Sequence, residues 1–162
     1  MTKSKVVEIT VANAVKAYRD APKEFKATLE NLIGKDVLNV SITDQVKTFE
    51  DALELVGCSE DMKLLILDYD GMDKDVLASQ ALAKLTIIAK ALNEGWKPDW
   101  TNNSEYKYYA WFKGSSGAFV FDGCSDDCSR SNVGSRLVFK SAELAKYAGK
   151  QFEGIYQTMF SL

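Results

Sequence analysis

The chain has 162 residues, with 20 Lys and Arg against 23 Asp and Glu and a formal charge of −3. Apolar residues make up 46% and charged residues 27%, which excludes a disordered acidic or basic tail, and no run approaches the ~20 apolar residues that span a bilayer. By surface scaling, a chain of this size hides about 70% of its unfolded surface, so a core can form without staples and one domain over 1–162 is expected.

Histidine is absent. That removes Ser-His-Asp and Cys-His catalysis, two-histidine zinc sites and any histidine proton shuttle. Three cysteines, Cys58, Cys124 and Cys128, are odd in number and sparse, which points to reduced thiols. Glu8 interrupts any apolar signal segment near the start, and a cytoplasmic location is the expectation.

Helix signals dominate residues 1–95. Thr10 can cap a helix through Ala14 and Tyr18, and Pro22 can open a second that runs by Phe25 and Leu29 to a stop at Gly34. Residues 36–43 read as a connector with room for a short extended piece, where a strand and not a helical turn is the expectation. Thr48 and Asp51 have capping-box spacing before Leu53 and Val56, with Gly57 as the stop. Lys63 to Leu67 is a short apolar run before the turn-like Asp68-Tyr69-Asp70-Gly71. From Asp73 a long pattern through Val76, Leu77, Leu82, Leu85, Ile88 and Leu92 predicts a central core helix that ends at Gly95.

Residues 96–162 have a different character. Nine of the 18 aromatics fall between Trp96 and Phe121. With β-branched neighbours and Gly-Ser turns they predict a three-stranded antiparallel meander over 106–113, 118–122 and 133–140, with the first pair joined by a turn at 114–117. Trp96 and Trp100 are expected to clamp the end of the central helix on this sheet. Residues 123–132 read as a polar loop, and Ser141 caps a single closing helix through Leu144, Phe152 and Met159. The fold class is therefore α+β: a helical part, 1–95, then an aromatic meander and C-terminal helix, 96–162.

Three pieces of chemistry can be read from these residues. An apolar strand ending in Asp-x-Asp-Gly resembles the first motif of haloacid-dehalogenase-type phosphatases. There Asp68 would be the nucleophile and Asp70 the acid or base, with magnesium bridging phosphate and carboxylate. Met72 stands where that family places a hydroxyl, and no alternating strand-helix pattern follows. The plainer reading is an acidic turn that opens a helix, and Ile66 and Leu77 at the first and twelfth positions exclude an EF-hand loop. Cys124 and Cys128, spaced Cys-x3-Cys, lack the further ligands zinc needs, so no cofactor or metal is expected. Finally, the segment 106–113 alternates aromatics with lysines, as a single-stranded nucleic-acid platform does. Residues 97–162 carry eight Lys and Arg against seven Asp and Glu, however, too small an excess to favour that partner.

Asn93-Glu94-Gly95-Trp96-Lys97-Pro98-Asp99-Trp100, Lys107-Tyr108-Tyr109 and Val133-Gly134-Ser135-Arg136-Leu137 with Phe139-Lys140-Ser141 together resemble small proteins encoded by gut Bacteroidales and by their phages and mobile elements. Asn13-Ala14-Val15-Lys16-Ala17-Tyr18 and Lys47-Thr48-Phe49-Glu50-Asp51-Ala52 extend the similarity over most of the chain, with Ala110 where a Pro is common. The resemblance implies a phage or mobile-element context, virion association included, variation concentrated in 114–132 and no catalytic residues to transfer. The expected function is thus non-enzymatic binding of a protein partner through 114–132 and the adjoining strand. Asp126, Asp127 and Arg130 would be the polar contacts, with Tyr109 and Trp111 as apolar anchors. Replacing 125–131 by Gly and Ser should then leave the fold intact. The alternatives are a magnesium-dependent phosphate enzyme on Asp68 and Asp70 and nucleic-acid binding by 106–113.

Overall fold

The computed structural model describes residues 8–57, 59–67, 73–115, 118–130, 134 and 136–160. In chain order the helices are α1 (Val11–Asp20), α2 (Lys23–Ile33), the single turns α3 (Lys35–Leu38) and α4 (Ile42–Gln45), α5 (Phe49–Val56), α6 (Glu60–Leu65) and α7 (Lys74–Leu92). Strands β1 (Lys107–Ser115) and β2 (Ala118–Asp127) follow, then α8 (Ala142–Gln151) and α9 (Glu153–Phe160). This is an α+β arrangement.

The expected caps are in place. Thr10 Oγ1 accepts from Asn13 N at 3.2 Å, and Ser141 Oγ accepts from Leu144 N at 3.3 Å. At α5 the box is reciprocal: Asp51 N donates to Thr48 Oγ1 at 3.1 Å while Thr48 N donates to the Asp51 carboxylate at 2.8 Å. Burial pushes the Asp51 carboxyl up, but the N–H groups of Thr48 and Lys47 outweigh it and hold it below its ordinary range.

Leu64 and Leu65 belong to a helix and not to a strand. Ser59 Oγ accepts from Met62 N at 3.2 Å, Glu60 and Asp61 occupy the first turn, and Lys, Met and Leu favour helix once it is nucleated. Both leucines are exposed.

The second half of α7 is the centre of the molecule, buried on all sides at Leu85, Ile87, Ile88 and Leu92, whereas Val76, Leu77 and Leu82, expected in the core, are exposed. One apolar cluster joins these residues to Val46 and Leu55 from the helical part and to Phe139, Leu144 and Phe152 from beyond it. Tyr147 Oη donates to Val46 O at 2.8 Å and Gln151 Nε2 donates to Lys47 O at 2.7 Å, fixing α8 to the start of α5.

Among the described residues the sheet has two strands where three were expected. Of 133–140, the described part contributes one bridge: Phe139 N donates to Tyr108 O at 2.7 Å, and Tyr108 N donates back to Phe139 O at 3.0 Å. Asn93 takes the place of further ladder. Its Nδ2 donates to Val138 O at 2.8 Å and its Oδ1 accepts from Lys140 N at 3.0 Å, so the end of α7 satisfies the segment's next backbone groups.

Strand β2 runs further than expected, through the first half of the supposed loop. Residues 123–127 pair with 107–111, and the extra residue Asp122 is accommodated by a bulge between the pairs Trp111↔Gly123 and Phe112↔Phe121. Gly123 sits there at φ 133°, outside the range of a side-chain-bearing residue. Pairing to an aromatic strand overrides the weak strand propensity of Gly, Ser and Asp. The closing helix is also two helices: the chain turns at Phe152, between Gly149 and Gly154, and this aims Tyr156 and Phe160 at the hairpin. Their rings lie 4.7 Å and 6.0 Å from that of Phe112, centroid to centroid.

Gly149 sets how closely α8 approaches the sheet. A Cβ there would lie 2.4 Å from the Phe121 ring and 2.9 Å from the Ala110 Cβ. In an exposed helix, Gly→Ala gains about 1 kcal/mol, but overpacking typically costs about 1–3 kcal/mol. Gly149→Ala should therefore lower the urea midpoint of unfolding, and a raised midpoint would show that the Phe121 ring moves freely aside.

Candidate functional site

Strand alternation divides the hairpin into two faces. Tyr108, Ala110 and Phe112 join the core cluster with Phe121 and Cys124, while Lys107, Tyr109, Trp111 and Lys113 point the other way. That outer face is covered at its start and bare further along. Lys107 is only 1% exposed; its ammonium donates to the carbonyls of Asp99 at 2.5 Å, Cys128 at 2.9 Å and Asn102 at 3.2 Å. Glu105 Oε1 stands 3.4 Å away, and the Trp100 ring centroid 5.4 Å. Residues 99–105 thus fold over the outer face and are pinned there.

Tyr109, expected to be an anchor, is 5% exposed and unable to meet a partner. Its ring lies 6.2 Å from that of Trp111 and supports it. Trp111 is 45% exposed. It stands opposite Gly123, which has no side chain to cover the indole, and the neighbouring outer-face position on β2 is the small Ser125.

The acidic candidates are dispersed. Asp126 is exposed but pairs with Tyr108, which places it on the other face from Trp111. Asp127 Oδ1 accepts from Ser129 N at 2.9 Å and from Arg130 N at 3.0 Å, and these bonds hold its carboxyl below the ordinary range. It is a turn former. Arg130 is exposed just beyond that turn. Substituting 125–131 by Gly and Ser would accordingly disturb the end of β2 and remove the Asp127 turn that leads out of it, a correction to the expectation that this stretch is dispensable. Cys124 and Cys128 are unbonded thiols, both half-buried.

For nucleic acid, the aromatic strand offers less than its sequence suggests. The lysine that should track phosphate, Lys107, is enclosed, and Lys113 pairs with Asp122 at 2.7 Å. Asp68 and Asp70 lie outside the described residues, and the segment that should reach them as a strand is α6.

A second feature left no local signal in the sequence. Where the C-terminal ends of α1, α5 and α7 meet, a groove of about 440 Å³ opens, walled by Leu55, Val56, Ala89 and Val138 and closed on one side by Trp96 and Pro98. Trp96 and Trp100 are each half-buried, one lining this groove and the other beneath Lys107, so they do not form the fully buried clamp expected of them. Arg19, Lys90, Lys97 and Arg136 also line the groove, with Glu94 as its one carboxylate. Arg19 Nη2 is 3.3 Å from Glu94 Oε1, and Lys140 Nζ is 2.8 Å from Glu94 Oε2.

Among the described residues, no helix is long and apolar enough to cross a membrane. The chain matches no family model, no curated protein and no solved structure.

Proposed function

We propose that the protein is a non-catalytic binding module that holds a protein partner against the outer face of its hairpin, with Trp111 as the anchor and Arg130 as a polar contact beyond the strand end. The observation that carries this reading is the half-exposed indole. It stands on a strand whose opposite face is fixed by α8 and α9, supported from beneath by Tyr109 and left uncovered by Gly123. A large aromatic held rigidly at a surface loses little entropy on binding, and Trp is enriched among interface hot spots. Asp126 and Asp127 fall out of the contact set, one on the opposite face and one committed to its turn. A phage or mobile-element setting for that partner is part of the same proposal; a nucleic-acid role draws no support from Lys107 and Lys113, one enclosed and one paired, and the phosphate reading rests on Asp68 and Asp70, outside the described residues.

Trp111→Ala tests it. Truncating a buried Trp costs about 3–5 kcal/mol, and a half-exposed one should cost less than about half of that, so the variant should remain folded. Against a partner retained on the immobilised wild-type protein, loss of a hot spot of about 2 kcal/mol weakens affinity roughly 30-fold. Unchanged affinity in a folded Trp111→Ala variant would remove the hairpin face from consideration.

A further inference from the structure

We propose that the groove at the ends of α1, α5 and α7 is a second, independent site, which binds a small organic anion with a flat apolar body, of the aryl carboxylate or sulfonate class. Its volume of about 440 Å³ lies within the range of small-molecule sites, and its walls are apolar with a few charged groups at hand, which is how such sites are built. The charge is the specific part. Four cationic side chains and one carboxylate line the groove, in a chain whose net charge is −3. The carboxylate, Glu94, is already shared by Arg19 and Lys140. Lys90, Lys97 and Arg136 form no ion pair among the described residues, although each stands within the same concavity.

Part of this charge has a simpler reason: a lysine near a helix C-terminus offsets the helix dipole, and Lys90 serves α7 in that way. That reason does not reach Lys97, beyond the helix, or Arg136, which belongs to the segment between β2 and α8. Two of the last four carbonyls of α7 are also engaged, Ala89 O by Asn93 N at 3.0 Å and Ala91 O by Glu94 N at 3.1 Å, which reduces the bare negative charge the helix end presents to a ligand. Trp96 supplies the flat apolar wall. An aryl body would lie against the indole while its anionic group meets Lys97 and Arg136, charges in a partly dry concavity being screened less than those on open surface.

The test uses 8-anilinonaphthalene-1-sulfonate as probe and its uncharged counterpart N-phenyl-1-naphthylamine as control. The expected result is saturable one-to-one binding of the sulfonate with quenching of tryptophan emission, at least tenfold tighter than the control and weakening with salt. Trp96→Phe should remove most of the quenching but keep the binding. Lys97→Gln with Arg136→Gln, both at exposed positions, should weaken the sulfonate at least tenfold, leave the control unchanged and preserve the thermal midpoint. Trp111→Ala should bind the probe as wild type does, which separates this site from the hairpin face. Equal affinity for sulfonate and control, or a double variant that binds the sulfonate as wild type does, would overturn the proposal. So would fluorescence that tracks the unfolded fraction on mild heating.

Discussion

Lys107→Met should lower the stability of the domain by about 3–5 kcal/mol, the loss typical when one partner of a buried charged arrangement is removed. Methionine keeps the apolar stem and deletes the ammonium. Three carbonyls, those of Asp99, Asn102 and Cys128, then lose their common donor, and Glu105 loses its cation. Asp99 O and Asn102 O keep the backbone N–H groups of Asn102 and Glu105, but Cys128 O is left without a donor among the described residues, and water cannot readily replace a group at a position 1% exposed, so an acceptor left unpaired there costs about 1–3 kcal/mol. For a domain of this size the thermal midpoint should fall by on the order of 10 °C. The 99–105 segment should also exchange its amides faster than α7 does, because Lys107 is what pins that segment to the end of β2. A methionine variant with the wild-type midpoint would show that the carbonyls rehydrate and that the cage contributes little.

Phe139→Ala should be comparably severe, with a loss of about 3–5 kcal/mol in urea unfolding, as is usual for a buried ring truncated to a methyl. The side chain is 1% exposed and lies where α7, α8 and the hairpin converge. Its backbone forms the only described bridge to β1, and the adjacent Val138 and Lys140 are held by Asn93. Phe139→Leu keeps most of the volume and should recover more than half of the loss. A small effect of the alanine change would mean that the ring is not the keystone between the helical part and the hairpin.

The parts of this fold written in short-range chemistry were legible in the sequence. Thr10, Thr48 with Asp51, and Ser141 are caps whose function depends on residues three positions away, and each marks a real helix start. The aromatic strand was legible for the same reason. What failed was decided at a distance. Residues 123–127 have a loop composition but form a strand because β1 offers them a ladder, and the turn at Phe152 exists because Tyr156 and Phe160 reach for Phe112. The segment at Leu64 and Leu65 was misread on apolarity alone, although Ser59 with Glu60 and Asp61 already carried the helix-start signal.

The candidate site divides along the same line. An aromatic next to a polar stretch pointed to Trp111, but strand alternation determined which neighbours share its face and put Asp126 on the other one, while Tyr109, on the same face as Trp111, is buried. Lys107 read as a surface charge because its three carbonyl partners lie five to 21 positions away along the chain. The groove residues Arg19, Lys97 and Arg136 come together only through the fold.

The reading of the hairpin as the contact face is tested most directly by installing the photo-crosslinking residue p-benzoyl-L-phenylalanine in place of Trp111, expressing the protein in the cells that encode it, and irradiating. The same replacement at Phe25, exposed on α2, serves as the reference. The account predicts one discrete protein adduct from position 111 and none from position 25. Adducts from position 25 with none from position 111, or no adduct from position 111 at all, would contradict it.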